Sequence, residues 1–196
     1  MLLGLDVGGT FTDAVIIDGH RVVATAKRRT TKNNLMNGIG EALDAVLEGY
    51  DTSNIEQVTL STTVVTNTIV EEKEQVVDLY VITGPGRNVD DIFPVEPIYL
   101  QGYTDHRGIV VEHTPADAVR GIANMVQAHS GTDLAAVSAK FGVRNPQEEL
   151  SITEELKNTY HVISNGSLLS GSLNFPRRTI SAYFNSAVTP VFTVFK

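Results

Sequence analysis

The segment Gly4-Leu5-Asp6-Val7-Gly8-Gly9-Thr10-Phe11-Thr12-Asp13 gathers more groups able to do chemistry than any other part of the chain. An apolar run, Leu2 to Val7, delivers Asp6 to its end, and two glycines then turn the backbone. A turn without side chains lets its amides approach an anion closely, which makes Gly8, Gly9 and Thr10 candidate phosphate donors. The hydroxyls of Thr10 and Thr12 add further donors. Asp6 and Asp13 are anions and cannot bind phosphate themselves. A carboxylate beside a phosphate cradle serves a magnesium ion or its waters, or orients an attacking group. Asp6 is thus a candidate for metal and catalytic roles, and Asp13 for a catalytic or hairpin-supporting one. The plainer alternative is a hairpin turn with solvated acids. The segment is not a Walker loop, because no Lys follows the glycines. Nor is it the Rossmann fingerprint, because a strand-like run stands where that motif requires a helix.

A second group follows a short apolar run at Val58 to Leu60. A helix opening on Thr62 and Thr63 would present free amides to an anion, and Thr63 and Asn67 are spaced to share one face. Thr62, Thr63 and Asn67 are therefore candidate substrate or cleft residues. In the competing reading the threonines cap the helix and Asn67 lies on its surface. Lys27, Arg28, Arg29 and Lys32 form the basic cluster, read as a solvated strand end rather than a phosphate clamp. Arg87, after Gly84-Pro85-Gly86, is a weaker candidate for a substrate carboxylate. The histidines (His20, His106, His113, His129 and His161) lack paired ligand spacing. Ser138, Ser164 and Ser167 lack a nucleophile-elbow context.

The elements that must hold these residues are legible as a change of period. Leu2 to Val7, Phe11 to Ile17 and Val22 to Ala26 read as three strands joined by tight turns, the second turn on Asp18-Gly19. Ile39, Leu43, Val46 and Leu47 fall on one helical face, with Gly49 as a stop. Val76 to Ile82 reads as a strand, and Ile98 to Tyr103 pairs with Ile109 to Glu112 in a hairpin around His106-Arg107-Gly108. Thr114-Pro115 with Asp117 starts a helix, Pro115 standing at its first position, with an apolar stripe of Val119, Ile122, Ala123 and Val126. Leu134 to Ser138 is a strand, Asn145-Pro146 with Glu148 starts the next helix, and His161 to Ser164 is a strand. Ile180, Phe184 and Val188 mark a last helix. Strand–helix alternation after a three-stranded N-terminal meander predicts an α/β fold, a mixed sheet flanked by helices.

The composition bounds the function. Hydrophobic residues make up 42% and charged residues 19% of 196 residues, enough for a sizeable core. There is no cysteine, which excludes disulfides, thiolate metal sites and cysteine nucleophiles. A net charge of −8 argues against broad nucleic-acid binding. No apolar run is long enough to span a bilayer, and the first residues lack the pattern of a secretory signal. The expectation is a cytoplasmic protein without nucleic-acid or membrane partners. No internal repeat or linker stands out.

Asp-x-Gly-Gly-Thr between two strands resembles the first phosphate motif of the actin-like ATPase and sugar kinase superfamily. The longer Gly-x-Asp-Val-Gly-Gly-Thr-Phe-Thr-Asp resembles the start of hydantoinase/oxoprolinase A-type subunits. Ser61-Thr62-Thr63-Val64-Val65-Thr66-Asn67-Thr68 is similar to that family's Gly-Thr-Thr-x-x-Thr-Asn-Ala signature, with Ser61 in place of Gly. Phe141 to Pro146 is similar to its Ser-Phe-x-Asn-Pro segment, and Thr179 to Pro190 to its Asn-Ala-Tyr-x-x-Pro helix. Where members carry a Val-Ser-Pro-type segment before that helix, this chain has Leu168 to Arg177. The resemblance implies a ribonuclease-H-like half of an actin-like ATPase across residues 1–196, a piece of a longer chain lacking the second ATPase half. It implies ATP and Mg2+ as cofactors and hydrolysis of a small-molecule cyclic amide such as hydantoin or 5-oxoproline. Its partners would be the missing C-terminal half or a B-type subunit, and the sequence is compatible with a homo-oligomer. Gly8, Gly9, Thr10 and Thr12 would hold phosphates, Asp6 would position magnesium and water, and Thr62, Thr63 and Asn67 would line the cleft. Two other readings remain open: a small-molecule kinase of the sugar-kinase branch, and a non-catalytic interaction or regulatory half-domain.

Overall fold

A computed structural model describes residues 1–31, 34–86 and 90–192, so Lys32 and Arg87 lie outside the described residues. The chain forms two compact units, residues 1–73 with 190–196, and residues 74–189.

In the first unit, β1 (Leu2–Val7), β2 (Phe11–Asp18) and β3 (Arg21–Arg29) form the antiparallel meander that the turn chemistry predicts. Gly19 takes φ +58° in the tight β2–β3 turn, a conformation glycine adopts without steric cost. α1 (Leu35–Leu47) starts on Asn34, whose side chain accepts from the amide of Asn37, and ends before Gly49 at φ +82°. β4 (Gln57–Thr62) returns parallel to β1, giving the order β3-β2-β1-β4, and α2 (Val64–Val70) follows. Period-two alternation decides which face is buried. Leu3, Leu5, Val7, Ala14 and Ile16 pack with Ile39, Ala42 and Val46 of α1. Each large side chain so buried stabilises by about 1.5–3 kcal/mol. Gly4, Asp6, Asp13 and Val15 occupy the opposite, open face. A mixed sheet opening on a three-stranded meander is the ribonuclease-H-like arrangement the sequence implies.

The second unit comprises β5 (Asp78–Ile82), β6 (Ile98–Tyr99), β7 (Tyr103–Thr104), β8 (Val110–Glu112), α3 (Ala116–Ser130), β9 (Leu134–Ala139), α4 (Gln147–Leu156), β10 (Val162–Asn165), α5 (Gly166–Leu169) and α6 (Phe175–Phe192). Residues 190–192 of α6 count with the first unit. β10, β9, β5 and β6 form an all-parallel sheet in that order. Every residue of β5 and β9 is buried, as parallel sheets covered on both faces require. Tyr80, Ile82, Ala135 and Val137 pack on α3 and α4, and Leu79, Val81 and Ala136 pack on α6.

The strand–helix alternation therefore builds a second sheet of its own instead of widening the first. Apolar side chains on both faces of β5 demand cover on both sides, which this sheet supplies. The hairpin expected from Ile98 to Tyr103 is also corrected. β6 joins the parallel sheet, Gly102 breaks the run at φ +135°, and only β7 pairs with β8. A Cβ on Gly102 would lie 2.4 Å from Thr114 Oγ1, so the turn excludes any other residue. The expected cap of α3 differs too. Pro115 stands one position before the helix, and the Thr114 hydroxyl donates to the Gln101 carbonyl at 2.6 Å instead of capping. Glu148 does not cap its own helix. It is buried and accepts from the Thr114 amide at 2.9 Å.

Candidate functional site

Hydrogen bonds around the β1–β2 turn define the site. The amide of Gly8 donates to the Phe11 carbonyl at 3.0 Å and closes the turn. A Cβ on Gly8 would sit 3.0 Å from that carbonyl oxygen, and one on Gly9 would sit 2.9 Å from Asn67 Nδ2. Close approach thus constrains Gly8 against backbone, while Gly9 faces only the movable end of Asn67; neither has a positive φ. The amides of Gly9 and Thr10 have no protein acceptor among the described residues. Thr30, just past β3, clamps the turn from the side. Its hydroxyl donates to the Gly8 carbonyl at 2.8 Å and lies 3.1 Å from the Thr12 hydroxyl, while its amide donates to the Thr10 carbonyl at 2.9 Å.

The end of β4 is tied to the same place. The Thr62 hydroxyl donates to the Val7 carbonyl at 3.0 Å and accepts from the Val64 amide at 3.2 Å. Asn67 Nδ2 donates to the Thr63 hydroxyl at 3.4 Å, so these two residues do share a helical face. A cavity of about 430 Å³ opens here, lined by Gly9, Thr10, Thr30, Asn67, Glu71 and Lys73 among others.

The predicted residues therefore divide. Gly9, Thr10 and Asn67 come together on the cavity. Gly8 contributes its lack of a side chain, but its amide is spent inside the turn. Thr12 is fully buried against α1 with its hydroxyl shared with Thr30, so it supports the turn and offers no donor to a ligand. Thr62 spends its hydroxyl on Val7 and on the start of α2, a stitching role. Neither Thr62 nor Thr63 lines the cavity.

Asp6 and Asp13 stand directly opposite each other across β1 and β2, on the open face of the sheet. There they line a separate shallow hollow of about 560 Å³ with Gly4, Val15, Thr25 and Lys27. Asp13 is engaged by Lys27, whose ammonium donates to both carboxylate oxygens at 2.8 and 3.1 Å. Lys27 also sits 5.1 Å from the Phe11 ring centre. Asp6 carries the unengaged carboxylate of the pair. Among the described residues no group of three or more His, Asp or Glu side chains is placed to hold a metal. A magnesium ion that keeps most of its waters and takes phosphate oxygens needs only one or two protein carboxylates, and Asp6 fits that requirement.

Sequence reading missed Thr30, Glu71 and Lys73. Thr30 was within reach: the register Phe11↔Arg29 places it opposite Thr10 once β3 is carried past Ala26. Glu71 and Lys73 belong to the end of α2, and nothing in their spacing points to the turn.

Residues 2–160 match the family described as the hydantoinase/oxoprolinase N-terminal region. Acetone carboxylase and a caprolactamase are among the solved structures that share the fold. Acetone carboxylase, in a nucleotide-free structure described for ATP-dependent acetone carboxylation, superposes with a TM-score of 0.80 at 19% identity, over 98% of this chain and 33% of that one. An ATP-dependent caprolactamase from Pseudomonas jessenii superposes with a TM-score of 0.68 at 19% identity, over 100% of this chain and 32% of that one. The chain thus spans about a third of the length of these structures. No curated protein matches it. Among the described residues no helix is long and apolar enough to cross a membrane.

Proposed function

Because the chain belongs to the hydantoinase/oxoprolinase family through its N-terminal region, we propose that it binds the phosphates of ATP for an ATP-dependent enzyme that opens cyclic amides. The observation that carries this reading is the turn at Gly8-Gly9-Thr10. Two amides without protein acceptors face a cavity, and the turn carries no side chain there: one at Gly8 would press on the Phe11 carbonyl and one at Gly9 on Asn67. Fixed backbone donors of this kind are well suited to anionic oxygens. The caprolactamase and the acetone carboxylase that share the fold are both described as ATP-dependent, which supports the nucleotide.

In this reading Gly9 and Thr10 donate to phosphate oxygens, and Asn67 shapes the cavity from α2. Asp6 would hold magnesium through its waters, and bound magnesium would spread the charge of the phosphates. Asp13, held by Lys27, stands opposite Asp6 across the strand pair. Thr12, Thr30 and Thr62 fix the turn, so that its donors need no reorganisation when charge develops. The use of ATP follows from the substrate class. An unstrained cyclic amide is a poor electrophile, and transferring a phosphoryl group to its carbonyl oxygen, with release of ADP, makes the carbon open to water. A kinase of the sugar-kinase branch has less support, because the family match is to the hydantoinase/oxoprolinase N-terminal region.

The test is Asp6→Asn in the longest chain the gene encodes. Turnover of magnesium-ATP should fall by about 100-fold or more, the usual scale for a group that positions the attacking species. The melting temperature should hardly change, because Asp6 is exposed. Unchanged turnover would remove Asp6 from the mechanism.

A further inference from the structure

The cavity at the turn contains an ion pair that the family motifs do not include. Glu71 and Lys73 both line it, and the Lys73 ammonium is bonded to the Glu71 carboxylate. Lys73 is the only cation among the described residues of the lining. Its position is fixed by an uncommon helix end. Glu71 caps α2, and Glu72 takes a left-handed conformation at φ +52°. The Lys73 amide donates back to the Thr68 carbonyl at 2.9 Å, and the Glu72 amide to the Ile69 carbonyl at 3.2 Å. This is the paired 6→1 and 5→2 bonding that usually has glycine at its left-handed position. A glutamate there is strained, and retained strain at a cavity edge is a pointer to a local task.

We infer that Lys73 is a phosphate-binding residue, exchanging Glu71 for the anion held at the Gly9–Thr10 turn. This rests on the phosphate reading above and supplies what the turn lacks. Two neutral amides give direction to an anion, but the glycine motif has no lysine of its own to balance its charge. Lys73 supplies that charge from the end of α2, beyond Asn67. The exchange is easy because both members of the pair are largely solvent-exposed, 66% for Lys73 and 49% for Glu71, and exposed pairs contribute little. Once phosphate occupies the cavity, a charge-assisted hydrogen bond to it replaces the one to Glu71. Glu71 then acts as a stand-in for the anion and competes with it.

The experiment measures binding of magnesium-ATP and of inorganic tripolyphosphate without magnesium, by titration calorimetry on the longest chain the gene encodes. Lys73→Gln should weaken both probes by about 10-fold, with a flatter dependence on salt, and Lys73→Arg should restore most of the loss. Glu71→Gln should move the other way and tighten tripolyphosphate. Such opposite signs cannot arise from loss of structure alone. Wild-type binding with equal affinity in Lys73→Gln would overturn the role of Lys73 and leave the phosphate reading intact. Failure of the wild type to bind either probe would overturn the phosphate reading itself.

Discussion

In the first sheet β1 and β2 bury every other residue. Leu3, Leu5 and Val7 lie against α1, while Gly4 and Asp6 open on the other side, and along β4 even Val58 and Leu60 remain exposed. In the second sheet β5 and β9 bury everything they carry, Asp78 and Ser138 included. The contrast extends to charge. On the open sheet, Asp13 meets Lys27 in solvent, with about half of each side chain exposed. In the second unit, Arg178 is wholly buried and donates to the carbonyls of Ala139 at 2.5 Å and Ser172 at 2.8 Å. It lies in the field of Glu149, itself fully buried and bonded to the Ala139 and Ser167 amides at 2.7 and 2.8 Å. Burial lowers the affinity of Arg178 for its proton, and the nearby Glu149 opposes that shift. Opposite charges thus meet in solvent in one unit and are built into the core through backbone hydrogen bonds in the other. Candidate chemistry collects on the side where the framework is thinnest.

The largest effect should come from breaking the buried set. Arg178→Met leaves Glu149 buried without its cationic neighbour and removes a donor from the carbonyls of Ala139 and Ser172. It should cost about 3–5 kcal/mol of unfolding free energy in urea titration. Lys27→Met, the counterpart on the open sheet, should cost less than about 1 kcal/mol in the same assay. Equal losses from the two substitutions would erase the distinction between the units.

A smaller and more selective effect is expected at the turn. The Cβ of Gly9→Ala would meet Asn67 Nδ2, the far end of a flexible side chain, at 2.9 Å. Stability should change by less than about 1 kcal/mol, the scale of a surface adjustment. Tripolyphosphate affinity should fall by about 10-fold, the scale of one hydrogen bond to a charged group. A variant that binds as wild type would show that the close approach of Asn67 is incidental.

The smallest effect belongs to the β7–β8 turn. Asp105 is buried there, and its carboxyl is held down to about 2, first by the amide of Ile109 and also by Arg107. The folded value lies below the ordinary 3.8, so the carboxylate stabilises the fold above about pH 4. That contribution is lost as pH falls from about 4 to about 2. Asp105→Asn should flatten the acid limb of the stability curve in that window and leave its shape near neutrality alone.

What the sequence made legible follows the same division. The meander, its turns and α1 were readable because alternation and helical periodicity have one burial solution in a one-sided sheet. The parallel strands were found as strands, yet their sheet was not, because a run apolar on both faces does not say which neighbour it pairs with. For α6 the stripe Ile180, Phe184, Val188 was read from the large residues. The buried face is centred on Thr179, Ala182, Tyr183, Ser186 and Ala187, because small side chains let the helix lie close on the sheet. At the site, glycines and threonines announced the turn. Thr30 stayed hidden behind the length of β3, and Lys73 behind a helix end that uses glutamate where glycine is the usual signal.

The most direct test of the account is hydrolysis of magnesium-ATP by the longest chain the gene encodes, with and without hydantoin and 5-oxoproline. Turnover stimulated by a cyclic amide and lost in Asp6→Asn is the predicted result. No turnover with either compound, together with no binding of tripolyphosphate at the Gly8-Gly9-Thr10 turn, would contradict it.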